Sequence, residues 1–137
     1  MIVADTGAII ALIDADDRYH DEMVVLFEED PAAWVLPWAI LVEVDYLLAR
    51  HVGIDAQRAF LRDVAEGSYT VEWPDDDDLD RAVALADQYS ALKLGLVDAI
   101  VMATAERLRA RAIATLDLRD FAPVSLRWTP KLYPRDR

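Results

Sequence analysis

The sequence of 137 residues has no cysteine, only four glycines and no long apolar run. Without cysteine there are no disulfides, thiolate metal sites or cysteine nucleophiles, so a bound metal must take oxygen or imidazole ligands. Because few glycines are available for a flexible linker, we expect one domain over residues 1–137. No stretch reaches the roughly 18 apolar residues of a membrane helix, and the N-terminus lacks the basic segment of a signal peptide. We therefore expect a cytoplasmic protein.

Several catalytic motifs are also missing. The chain contains no GxGxxG, P-loop, HExxH or GxSxG pattern, so nucleotide-binding folds, zinc proteases and serine hydrolases lack motif support. The two histidines, His20 and His51, lie on charged helical segments and are expected at the surface. Carboxylates are left as the side chains most able to carry chemistry.

Charge is distributed unevenly along the chain. The formal net charge is −12, from 26 acidic and 14 basic residues. Eight of the basic residues but only three of the acidic ones fall within residues 107–137, so an acidic body precedes a basic C-terminal quarter. That quarter is either a phosphate-binding edge or a docking surface for a partner, and charge alone does not choose between them.

Short apolar segments alternate with amphipathic helical patterns, which predicts an α/β fold with a parallel sheet. The predicted strands are Ile2–Ala4, Trp34–Leu36, Tyr69–Trp73, Ala112–Thr115 and Val124–Leu126. The predicted helices are Ala8–Ile13, Asp17–Glu29, Trp38–His51, Asp55–Ala65, Leu79–Tyr89 and Leu96–Arg107. The acidic run at residues 75–78 is interpreted as the negative charge that favours a helix N-terminus, rather than as a metal site.

Four acids occupy positions where an ionised group needs a partner or a metal. Asp5 and Asp117 directly follow predicted buried strands, while Glu43 and Asp98 interrupt apolar helix faces. Each has a structural alternative as a cap, a turn residue or an interruption in an apolar stripe. Asp120, three residues after Asp117, is either a partner or a substitute for it. Because the carboxyl ends of parallel strands meet at one edge, the acids can converge there.

Clustered carboxylates repel each other, and a divalent cation relieves that repulsion. Oxygen ligands favour Mg²⁺ or Mn²⁺. Such sites polarise phosphodiesters and activate water against them. Arg119, two residues after Asp117, is a candidate phosphate contact because guanidinium binds phosphate through two parallel hydrogen bonds. Pairing of Arg119 with Asp120 is the alternative.

Four segments in order along the chain carry a resemblance to a known family. They are Val3-Ala4-Asp5-Thr6-Gly7, Glu43-Val44-Asp45-Tyr46-Leu47-Leu48, Leu94-Gly95-Leu96-Val97-Asp98-Ala99, and Ala114-Thr115-Leu116-Asp117 followed by Asp120-Phe121. With these segments the sequence resembles the PIN-domain family, specifically the VapC-type toxins of bacterial toxin–antitoxin pairs. The match extends over nearly the whole chain.

The resemblance implies a three-layer αβα fold around a mostly parallel sheet of four to five strands. It further implies a Mg²⁺- or Mn²⁺-dependent endoribonuclease, a homodimer and a cognate antitoxin that blocks the active site. Carried over residue by residue, the acidic metal ligands and catalytic groups are Asp5, Glu43, Asp98 and Asp117. Thr6 and Thr115 are implied as polar neighbours of the site, on the substrate side.

Two other phosphate-handling folds fit the sequence less well. A receiver-type domain needs adjacent acids after the first strand and a lysine after a late strand, and a haloacid-dehalogenase-type phosphatase needs Asp-x-Asp after the first strand. The chain has neither pattern, since Ala4 precedes Asp5 and Gly7 follows two residues later. A catalytically inactive PIN-like module that binds a protein through its acidic surface remains the alternative to the nuclease.

Overall fold

The computed structural model describes residues 1–137 and contains one five-stranded parallel sheet, as the alternating pattern predicts. The strands are β1 (Ile2–Ala4), β2 (Trp34–Pro37), β3 (Thr70–Glu72), β4 (Ala112–Ala114) and β5 (Lys131–Tyr133). Their order across the sheet is β3-β2-β1-β4-β5. The α/β prediction is confirmed.

Seven α-helices flank the sheet. They are α1 (Thr6–Ile13), α2 (His20–Glu29), α3 (Trp38–Leu47), α4 (Ile54–Ala65), α5 (Asp78–Gln88), α6 (Leu96–Arg107) and α7 (Leu118–Phe121). A π-helical turn at Leu48–Val52 extends α3. None of the helices is long and apolar enough to cross a membrane.

The strand order places a crevice between β1 and β4. From β1 the chain adds β2 and β3 on one side of the sheet and β4 and β5 on the other. In open parallel sheets, ligands bind outside the carboxyl ends of the strands where the order reverses in this way. Ala4 pairs with Ala114, and the Asp5 backbone N–H donates to the Ala114 carbonyl over 2.9 Å. The residues that follow β1 and β4 are therefore direct neighbours.

The core explains why β1 and β4 read as uninterrupted apolar runs. All residues of both strands are buried, as expected for central strands of a parallel sheet covered on both faces. Helix α6 contacts β1 and β2, and every residue from Ala99 to Ala105 is buried. Asp98 precedes this buried stretch by one position, so its carboxylate stands at the rim of the core.

The prediction of a strand at Val124–Leu126 is wrong. These residues form no regular structure, although Val124 and Leu126 pack against the core. The fifth strand is β5, which follows Pro130 and precedes Pro134, and only Leu132 in it is buried. An edge strand bounded by prolines, with one buried side chain, gives almost no apolar pattern.

Helix α2 begins three residues later than predicted. Asp17 accepts a hydrogen bond from the Tyr19 backbone N–H over 2.8 Å, which stabilises a turn in place of the first helical turn. His51 is exposed as predicted, but His20 is half-buried with Nδ1 2.8 Å from the Ala11 carbonyl oxygen. The surface assignment of His20 is therefore wrong, because its ring links α2 to α1.

Candidate metal centre

Asp5 lies at the base of the crevice, directly after β1. The residue is 5% exposed, and its side chain caps α1 by accepting the Thr6 backbone N–H over 2.8 Å at Oδ1. Oδ2 accepts the Thr115 hydroxyl over 2.9 Å. Burial raises the pKa of Asp5 to about 6, even though both hydrogen bonds favour the ionised form. A buried carboxylate of this kind is costly unless a positive charge is nearby.

Thr115 ties the acids that follow the two central strands to each other. Its Oγ1 donates to Asp5 and accepts the Asp117 backbone N–H over 3.0 Å. Asp117 in turn caps α7 by accepting the Asp120 backbone N–H over 3.2 Å. This chain of hydrogen bonds fixes Asp5 and Asp117 relative to each other, across the β1–β4 boundary.

Asp98 and Glu43 reach the same place from two helices. Asp98 is the third residue of α6, and burial raises its pKa to about 7, with further increases from Asp5, Asp117, Asp120 and Glu43. Glu43, half-buried on α3, also raises the pKa of Asp5. The charges of Asp5, Glu43 and Asp117 therefore act at Asp98, while the carboxylates that lie closest together are those of Asp98, Asp117 and Asp120.

No basic side chain neutralises this cluster. None of the six salt bridges in the structure involves its five acids. The N-termini of α1 and α6 lie at the cluster through Asp5 and Asp98, and their dipoles favour negative charge only modestly. The raised pKa values of both acids show that repulsion and burial dominate.

The arrangement fits a hard divalent cation. One carboxylate oxygen from each of Asp98, Asp117 and Asp120 lies within 4.8 Å of the others. Asp120 Oδ1 is buried and has no hydrogen-bond partner, which is costly unless a cation satisfies it. All the donors are oxygens, the ligands that Mg²⁺ and Mn²⁺ prefer.

Asp120 is the acid that the sequence offers as a partner or a substitute for Asp117. One carboxylate oxygen of Asp117 lies within 4.8 Å of one of Asp120, so the structure brings both acids to the cluster without selecting either as the ligand. The available signal was their spacing, because residues three apart at a helix start lie on the same side of the turn.

The three residues expected on the substrate side occupy different depths. Thr115 and Thr6 are 1% and 4% exposed, so both are buried and neither presents a surface to a substrate. Arg119 is exposed on α7 and forms no salt bridge, so the alternative of pairing with Asp120 is not what the structure contains.

The basic C-terminal quarter does not form one surface. Three of its arginines, Arg107, Arg111 and Arg137, pair with acids elsewhere in the fold, and Arg135 pairs with its neighbour Asp136. Arg119 stands beside the acid cluster, whereas Arg109 follows the far end of α6. Folding therefore separates Arg119 from Arg109, which lie near opposite ends of α6.

The family model described as PIN domain matches residues 2–125. The chain belongs to the PIN-domain family. It is 31% identical to Ribonuclease VapC26 of Mycobacterium tuberculosis over an alignment of 121 residues. The alignment covers 88% of this chain and 90% of that protein. The family and the VapC-type relationship inferred from the four sequence segments are confirmed.

Two solved structures share the fold. The crystal structure of Mycobacterium tuberculosis VapC20, described as a Sarcin-Ricin loop cleaving toxin, superposes with a TM-score of 0.82 at 22% identity and covers 95% of this chain and 99% of that one. A toxin–antitoxin complex from Klebsiella pneumoniae matches with a TM-score of 0.69 at 27% identity, over 90% of this chain and 92% of that one. The three-layer PIN-like arrangement implied by the resemblance is thereby confirmed.

Proposed function

We propose that this PIN-family chain is a Mg²⁺- or Mn²⁺-dependent endoribonuclease and the toxin of a toxin–antitoxin pair, working in the cytoplasm. Residues 1–137 serve as a single nuclease domain. The observation that carries the proposal is the convergence of five unneutralised acids at the β1–β4 crevice, with raised pKa values at Asp5 and Asp98. The names of the VapC relatives supply the RNA and toxin parts of the proposal.

Asp5, Glu43, Asp98 and Asp117 are the proposed metal ligands and catalytic acids, with Asp120 completing the set. These residues would hold a divalent cation, which would supply Lewis acidity toward a phosphodiester and a water molecule. The carboxylates orient the attacking water and accept its proton. Thr115 is a positioning residue, because its hydroxyl holds Asp5 and Asp117 in register.

Arg119 is the proposed contact to the RNA backbone beside the cluster. Its guanidinium is exposed and free of acidic partners. A planar guanidinium can hold a phosphate oxygen pair while the scissile phosphate lies over the acids. The protein is acidic, but the divalent cation and Arg119 make the charge positive at the place where the RNA backbone binds.

A cognate antitoxin and a second copy of the chain are the proposed protein partners. The toxin–antitoxin complex from Klebsiella pneumoniae, which shares the fold, supports an antitoxin as a partner.

The homodimer is supported by exposed apolar side chains. More than half of each of four of them is exposed, namely Val42 and Tyr46 on α3 and Leu79 and Val83 on α5, and such apolar faces mark interfaces. Sedimentation should give about twice 15.4 kDa, and a monomer at micromolar concentration contradicts the dimer.

Asp98→Asn tests the nuclease directly. The substitution keeps the shape of the side chain but removes one charge from the cluster, so RNA cleavage should fall by at least about 10³-fold. Cleavage by the wild type should require Mg²⁺ or Mn²⁺ and stop in a chelator. Asp87→Asn, at an exposed position of α5, is the matched control and should cleave like the wild type.

The inactive protein-binding module makes the opposite prediction. In that case no divalent cation supports cleavage by wild type, while antitoxin binding persists in both variants. Equal cleavage by wild type and Asp98→Asn would show that the acid cluster is not the active centre.

A further inference from the structure

A polar cavity lies at the opposite end of α6 from the acid cluster. The stretch of α6 from Asp98 to Arg107 is about 14 Å long. The cavity has a volume of about 550 Å³ and is lined mainly by charged side chains from the start of α5, the end of α6 and the loop before β5. Nothing in the proposed cleavage chemistry uses it.

Most of the charge in this cavity is internally neutralised. Arg81 binds Glu106 through two hydrogen bonds of 2.7 and 3.0 Å. Arg107 binds Asp78 through two of 2.9 and 3.2 Å. These pairs form a rigid wall with little charge left for a ligand.

Two guanidinium groups and one indole ring remain available. Neither Arg109 nor Arg127 has a carboxylate partner for its side chain. Trp128 is 42% exposed, and the Arg109 guanidinium lies over its ring, 6.0 Å from the centroid. The ring is held in place because Trp128 Nε1 donates to the Ala110 carbonyl over 2.8 Å.

The backbone also fixes both arginines at the mouth of the cavity. The Arg127 N–H donates to Glu106 Oε2 over 2.6 Å. Arg109 has φ of +49° and follows the end of α6, where its N–H bonds to the Glu106 carbonyl and the Ala110 N–H to the Ala105 carbonyl. Glycine is the favoured residue at this left-handed position. An arginine there places a guanidinium beside the ring at a cost to the backbone.

We propose that Arg109, Arg127 and Trp128 form a binding site for one unpaired nucleotide, taken from the RNA substrate outside the cleavage centre. Two guanidiniums hold a phosphate, and the exposed part of the Trp128 indole outside its contact with Arg109 offers an aromatic surface on which any base can stack. The exposed Asp75 and Asp77, which also line the cavity and pair with no basic side chain, can accept the amino groups of a base. The RNA source rests on the proposed function, whereas the nucleotide chemistry rests on the cavity.

Arg109→Gly separates a binding role from a structural one. Glycine suits the left-handed backbone, so the melting temperature should stay the same or rise. Binding of a fluorescein-labelled single-stranded RNA dodecamer of mixed sequence, measured in Ca²⁺ by fluorescence anisotropy, should weaken about tenfold. The salt dependence should become shallower by about one phosphate contact.

Arg127→Ala is a second variant that removes the guanidinium but keeps the backbone N–H that binds Glu106. Its affinity for the dodecamer should fall by a similar factor. Arg58→Ala is the control. Arg58 is exposed on α4 and unpaired, so its loss changes net charge equally and should leave RNA affinity within about twofold.

Guanosine 5′-monophosphate distinguishes a free nucleotide from RNA. If it quenches tryptophan fluorescence in wild type but not in Arg109→Gly, while both bind the dodecamer equally, the site takes a free nucleotide. If Arg109→Gly matches wild type for both probes, if Arg58→Ala is impaired as much, or if only antitoxin binding is lost, the proposal is overturned. Wild-type RNA cleavage alongside any of these results leaves the nuclease standing, and absent cleavage overturns the nuclease instead.

Discussion

At its N-terminal end α6 carries Asp98 into a cluster of five acids without a basic partner, while at its C-terminal end two acids are each bound by an arginine. Asp98 has a pKa raised to about 7, whereas Arg81 lowers the pKa of Glu106. One end of the helix therefore stores electrostatic repulsion, and the other relieves it. The acid cluster proposed for catalysis lies at the N-terminal end of α6, and the ion pairs that stabilise the fold lie at its C-terminal end.

The difference separates a carboxylate that needs a ligand from one that does not. Asp78 is almost fully buried, yet Arg107 completes its hydrogen bonding. Asp120 Oδ1 is buried with no partner. Burial alone does not distinguish the two, but the presence or absence of a fixed counter-charge does.

Arg107→Ala should remove the ion pair with Asp78 at the C-terminal end of α6 and give the largest loss of stability. The side chain of Asp78, 5% exposed, would keep only the Asp75 backbone N–H as a donor. Leaving a buried charge uncompensated costs about 3 kcal/mol in the free energy of unfolding. Urea denaturation measures this loss, and Arg58→Ala on α4 should stay within about 0.5 kcal/mol of wild type.

A loss below about 1 kcal/mol in Arg107→Ala would mean that solvent replaces the arginine. The ion pairs at the C-terminal end of α6 would then contribute little to stability, and the two ends of the helix would not differ in the way described. Arg107→Lys sharpens the result, because an ammonium restores the charge without the two parallel hydrogen bonds and should recover only part of the stability.

Lowering the pH should stabilise the metal-free protein, because it protonates the acid cluster at the N-terminal end of α6. The pKa values of Asp98 and Asp5 are raised to about 7 and about 6 in the folded state, above the ordinary 3.8. The folded state therefore binds more protons than the unfolded state across this window, and stability is lost as pH rises through the folded pKa values. The melting temperature in chelator should rise when pH falls from about 8 to about 5.

Asp98→Asn is the control for this pH dependence. It should melt higher than wild type at pH 8 in chelator and show a weaker dependence on pH, because one repelling charge is gone. The paired acids act in the opposite direction, but only at lower pH, since Glu106 has a lowered pKa. A wild-type melting temperature that falls steadily from pH 8 to pH 5 would contradict the repulsion.

The sequence predicted the parts of the fold that rest on continuous apolar patterns. Helix α6 matches its predicted bounds, and β1 does as well. Strand β5 was missed because its pairing with β4, not its composition, makes it a strand. The candidate site was predictable for acids that interrupt apolar segments, such as Asp98. The arginine partners of Asp78 and Glu106 were not, because they depend on how α5 packs against α6.

The central claim is that the unpaired acids form a divalent cation site, and thermal unfolding across increasing Mn²⁺ tests it most directly. A cation that binds only the folded state stabilises it by about 2.7 kcal/mol at a hundredfold excess over its dissociation constant. The wild-type melting temperature should therefore rise with Mn²⁺, and that of Asp98→Asn should rise far less. An equal rise in both proteins, or no rise in wild type, would contradict the account.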